Sequence, residues 1–130
     1  MFARGEAGPR RPHVVIAHSD AAYAAGVGRA FRRHGWAVAS AVSGPEARRL
    51  ASALAADLIV LEADLPGESG WLTCAKLNVG GDRPPVVLVT ADEGARAGEF
   101  AEFAGAVRFV TRRQGADPLL EEMGLVAPAA

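Results

Sequence analysis

Three short apolar runs in this chain break off in side chains capable of chemistry. Leu58-Ile59-Val60-Leu61 stops at Glu62, with Asp64 two residues on. Val14-Val15-Ile16-Ala17 stops at His18, Ser19 and Asp20, and Val86-Val87-Leu88-Val89 stops at Thr90. Runs of this length are too short for free-standing helices and are rich in β-formers. They read as strands buried on both faces of a parallel sheet. Open α/β sheets bind their ligands at the carboxyl ends of the strands, so these acids stand where such sheets do their work. His18, Asp20 and Glu62 together could offer ligands to a metal, but their spacing specifies none. His18-Ser19-Asp20 is not the G-x-G-x-x-G of a dinucleotide loop. A nucleotide- or flavin-binding flavodoxin-like protein is therefore an alternative that rests on fold alone.

The elements that must position these residues follow from periodicity. After the first strand, Ser19 or Asp20 caps a helix running to about His34, with Gly35 suited to a left-handed stop. Tyr23, Val27, Ala30 and Phe31 give that helix one apolar stripe. Trp36-Ala37-Val38-Ala39 with Val42 reads as a second strand, nearer an edge. Ser43-Gly44-Pro45-Glu46 has capping-box spacing and opens a second helix through Leu50 and Leu54. The third strand begins at Asp57 and is closed by Pro66-Gly67, after which Trp71, Leu72, Ala75, Leu77 and Val79 mark a third helix stopped by Gly80-Gly81. Val86 to Thr90 is the fourth strand, and Asp92 to Ala104 a fourth helix. Val107 to Thr111 alternates as an edge strand would, and Asp117-Pro118 opens a short fifth helix through about Met123. Five strands alternating with five helices imply an α/β, doubly wound, flavodoxin-like (βα)5 domain around a five-stranded parallel sheet. Residues 1–12 read as a mobile N-terminal arm, 13–123 as the domain and 124–130 as a C-terminal tail.

Composition narrows the classes. The chain has 130 residues, half of them apolar, a formal charge of −1 and one cysteine. That suits one globular domain and rules out a disordered tail. The near-neutral charge gives no electrostatic case for nucleic acid or a membrane surface. Cys74 excludes an internal disulfide and reads as a packed thiol in a reducing, cytoplasmic setting. The Gly/Pro/Arg-rich start has no apolar core and is not a secretory signal.

Taken in order, Asp57-Leu58-Ile59-Val60-Leu61-Glu62, Leu65-Pro66-Gly67, Thr90-Ala91 and Gly105-Ala106 with Phe109 resemble the response-regulator receiver family over about residues 13–123. That resemblance implies four elements of a phosphoryl-transfer pocket: two acids after the first strand for Mg²⁺, an acceptor Asp after the third, a Thr or Ser after the fourth, and a Lys after the fifth. Its chemistry is positioning and charge neutralisation around a hard cation. In this chain the acid pair falls on His18 and Ser19, neither a good Mg²⁺ ligand. The acceptor falls on Glu62, one methylene longer than Asp and displaced from in-line attack. Thr90 keeps its position. The Lys falls on Arg112, with Arg113 where the family has Pro, and Arg112 is expected to pair with Glu62. Phe109 stands at the switch aromatic but lacks a hydroxyl.

The resemblance thus implies a degenerate, or pseudo-, receiver. It would be a signalling module rather than an enzyme, with no cofactor and no conventional Mg²⁺-dependent aspartyl phosphorylation. The partner would be a protein, bound in the family's manner on the face of the fourth helix, fifth strand and fifth helix. The alternative is a working phosphoacceptor in which Asp20 or Asp64 substitutes and Mg²⁺ is bound. Asp20 lies one residue late for this, so only a bulge would turn it inward. Whether Glu62 imitates a phosphorylated acceptor or has merely drifted stays open at this level.

Overall fold

The computed structural model describes residues 11–79, 84–90 and 108–111, the last at the level of the backbone. Within them the order is β1 (His13–Ala17), α1 (Ala21–Arg33), β2 (Ala37–Ala41), α2 (Gly44–Ala53), β3 (Leu58–Glu62), α3 (Gly70–Val79), β4 (Val86–Thr90) and β5 (Arg108–Thr111). The expected helices after β4 and β5 lie outside the described residues. The five strands form one sheet in the order β2-β1-β3-β4-β5, and every neighbouring pair is parallel.

Alternation along the central strands explains why they are apolar throughout. Val15, Ala17, Ile59, Leu61, Val86 and Leu88 point into one core layer, with Ala47 and Ala51 of α2 and Cys74 of α3. Val14, Ile16, Leu58, Val60, Val87 and Val89 point into the other, against Val27, Ala30 and Phe31 of α1. A strand with helices on both faces has no solvent side on which a polar residue would be stable. β2, an edge strand, is mostly half-buried and carries the exposed Ser40.

The helix ends obey local chemistry. Asp20 is the cap of α1, its side chain accepting the Tyr23 N–H. The helix ends at His34, and Gly35 follows with φ +89°, a conformation that favours glycine. Ser43 caps α2 by accepting the Glu46 N–H. Glu46 departs from the reciprocal box: its carboxylate takes the N–H of Val42, one residue before the cap, at 2.7 Å. α3 begins at Gly70, with Ser69 Oγ accepting the Leu72 N–H at 3.1 Å.

Candidate functional site

Strand register brings the chemistry-bearing ends together. Ala17 lies beside Leu61, Glu62 beside Val89 and Thr90 beside Thr111. The residues after β1 and those closing β3 and β4 therefore share one edge of the sheet. Beyond Glu62, the Ala63 N–H donates to the Val89 carbonyl at 2.8 Å and keeps the end of β3 on β4. The Gly70 N–H then donates to the Ala63 carbonyl at 2.9 Å. A Cβ at Gly70 would run into the Glu62 carbonyl oxygen, so the start of α3 rests on the backbone of Glu62 itself.

The Glu62 side chain is 19% exposed. Its Oε1 accepts the backbone N–H of Ser19 at 2.7 Å, a short, charge-assisted bond across the gap between β3 and the loop after β1. His18 beside it is 2% exposed at the side chain, and its Nδ1 lies 3.9 Å from the same Oε1. That Nδ1 accepts the Asp20 N–H at 3.0 Å, which assigns the lone pair to Nδ1. The ring lies against Tyr23, with centroids 4.7 Å apart. Burial pushes the Tyr23 phenol up to about 12, and its hydroxyl is buried with no hydrogen-bond partner among the described residues. Thr90 is 2% exposed at the end of β4.

The geometry sorts the expected residues. His18, Ser19 and Glu62 meet directly, and Thr90 shares their edge of the sheet. Asp20 spends one carboxylate oxygen on the cap of α1. Asp64 is exposed. Phe109 is described only as backbone, paired with Leu88. Arg112 lies outside the described residues. The bond from the Ser19 N–H to Glu62 could not be read from side-chain types because its donor is a main-chain group. The Tyr23 ring against His18 was likewise missed; its signal was the helical stripe, which reads as core.

These residues do not fit Mg²⁺. That ion needs oxygen ligands in near-octahedral arrangement. Here two consecutive N–H groups, of Ser19 and Asp20, point at Glu62 and the His18 ring. Among the described residues no group of three or more His, Cys, Asp or Glu is placed to hold a metal.

A second polar cluster lies on the loop that follows β3, and sequence reasoning did not find it. Glu68 accepts from Arg48 Nε at 3.2 Å and Nη2 at 3.1 Å, from Lys76 Nζ at 2.7 Å and from Thr73 Oγ1 at 2.6 Å. Arg48, then Lys76 and Thr73, hold its carboxyl down at about 2, against the smaller opposing effect of burial. The loop carrying Leu65-Pro66-Gly67 is thereby tied to α2 and α3.

A parallel sheet covered by helices on both faces, with a polar cluster at its carboxyl edge, defines a flavodoxin-like α/β domain. The sequence profile of the response regulator receiver domain matches residues 14–123, and the chain belongs to that family. Receiver domains are signalling modules of two-component systems. Solved structures agree on the fold. The BeF3-activated N-terminal receiver domain of Klebsiella pneumoniae RstA is 21% identical, with TM-score 0.78, over 87% of this chain and 96% of that one. A DNA-binding response regulator of the LuxR family from Staphylococcus aureus is 18% identical, with TM-score 0.79, over 87% and 96%. A CheY-like response regulator receiver domain protein from Methanospirillum hungatei is 19% identical, with TM-score 0.76, over 88% and 92%. A search of curated proteins found no match. No described helix is long and apolar enough to cross a membrane.

Proposed function

We propose that this receiver acts as a cytoplasmic protein-interaction module whose signalling state does not depend on aspartyl phosphorylation. Residues 13–123 form the module, and 1–12 and 124–130 flank it. The observation that carries the reading is the Glu62 carboxylate bonded to the Ser19 N–H in a pocket where His18 and Ser19 stand for the acid pair. Phosphoryl transfer to a carboxylate needs a free, in-line oxygen and a cation beside it. Glu62 Oε1 is already engaged, and among the described residues the groups facing it are the Ser19 N–H and the His18 imidazole. The module's output is then a surface read by a protein partner, without a chemical step of its own.

The test is incubation with acetyl phosphate and Mg²⁺, read by intact mass. The reading expects no phosphoryl adduct. A stoichiometric adduct would overturn it, and its loss in Asp64→Asn or Asp20→Asn would identify a substitute acceptor. The Klebsiella receiver was solved in a BeF3-activated form; on this reading the present chain gives no saturable response to that mimic.

A further inference from the structure

We propose that the Glu62 carboxylate is a built-in anionic ligand of the loop after β1, and that this internal contact, rather than any bound ion, sets the loop's conformation. The inference deepens the phosphate-independent reading and rests on it. Two successive main-chain N–H groups of the loop turn toward the pocket, each onto an acceptor: Ser19 onto Glu62 Oε1 at 2.7 Å and Asp20 onto His18 Nδ1 at 3.0 Å. N–H groups present the positive ends of their dipoles, and the adjacent start of α1 adds positive potential of the same sign. The Ser19 N–H so placed favours an anionic acceptor. The chain supplies that anion itself. Glu reaches one methylene further than Asp, far enough for its oxygen to close on the Ser19 N–H.

The contact passes directly into α1. Ser19 precedes Asp20, whose side chain caps the helix through the Tyr23 N–H at 3.1 Å. The His18 ring, 2% exposed and lying on Tyr23, fixes the other side of the same turn. Strand end, loop and first helical turn are thus held as one unit by a carboxylate that no solute needs to deliver.

Glu62→Ala removes the ligand and opens space for a small carboxylate. Amide hydrogen exchange at Ser19 should quicken by roughly tenfold or more, the effect of losing one hydrogen bond to a charged group. Excess formate should slow it again, where chloride at equal ionic strength and Mg²⁺ do not. Glu62→Gln keeps an acceptor oxygen without the charge and should fall between, which gives a readout even if the Ala variant folds poorly. Unchanged Ser19 exchange in both variants would overturn the proposal, as would rescue by Mg²⁺ or rescue by formate no better than by chloride. The experiment uses no phosphodonor, so it fails or succeeds separately from the labelling test.

Discussion

At the scale of single residues, Tyr23 carries an uncompensated cost. Its ring lies against His18, its hydroxyl is buried with no hydrogen-bond partner among the described residues, and burial raises its pKa to about 12. A buried polar group left unsatisfied costs on the order of 1–3 kcal/mol, whereas removing it with its shape kept costs little. Tyr23→Phe should therefore stabilise the protein by about 1 kcal/mol in urea unfolding; a loss of stability would show that the hydroxyl has a partner. The sign of the pH effect follows. The folded phenol stays protonated above the point where the unfolded one ionises, so its contribution is intact below pH 10 and is lost as pH rises toward about 12. The phenylalanine variant should lack that alkaline loss. Gly70 makes the opposite case: it is required because a Cβ there would strike the Glu62 carbonyl. Backbone cannot swing aside as a flexible side chain can, so Gly70→Ala should destabilise by about 1–3 kcal/mol, measured in the same way, and should disturb the pocket through Glu62 itself.

At the scale of elements, the loop between β3 and α3 is held by Glu68. Its carboxyl group, lowered from 4.5 to about 2, is stabilised as the anion by Arg48 of α2 and by Lys76 and Thr73 of α3. A depressed folded value means that the contribution is fully present above pH 4.5 and is lost as pH falls through about 2. Acid unfolding of the wild type should show this loss, and Glu68→Gln should flatten it while lowering stability at neutral pH. Equal acid slopes in the two proteins would contradict the role given to Glu68. Sequence reasoning could not see this cluster. Arg48 lies 20 residues from Glu68 and meets it only because α2 and α3 pack side by side. Local signals fared better where the physics is local. The spacing Ser43-x-x-Glu46 announces the start of α2, and only the final partner of Glu46, the Val42 N–H, differs from the expected box. Asp20, one of two candidates, is the cap of α1.

At the scale of the whole molecule, the sheet was legible because burial on both faces leaves a strong trace. Val14 to Ala17, Leu58 to Leu61 and Val86 to Val89 are apolar at successive positions, since each alternate residue enters one of two core layers. The strand Asp57 to Glu62, Leu65-Pro66-Gly67, Thr90-Ala91 and Gly105-Ala106 with Phe109, in that order, suggest the receiver family, and the match over residues 14–123 places the chain there. The pocket was legible only in part. Residue types show which side chains stand at the carboxyl edge, and strand register gathers His18, Ser19, Glu62 and Thr90 there. Types do not show that Glu62 turns to a main-chain N–H. Sequence reasoning named only Arg112, which lies outside the described residues, because opposite charges are visible in a sequence and backbone donors such as the Ser19 N–H are not.

At this scale the proposal is of a receiver held in one arrangement from within. The most direct measurement is a backbone-amide NMR titration with Mg²⁺ and beryllofluoride, followed at Ser19, Glu62 and Thr90. The account predicts no saturable shift at these amides at any concentration short of general salt effects. Saturable, joint movement of the three would mean that a cation and a phosphoryl mimic enter the pocket, and would contradict it.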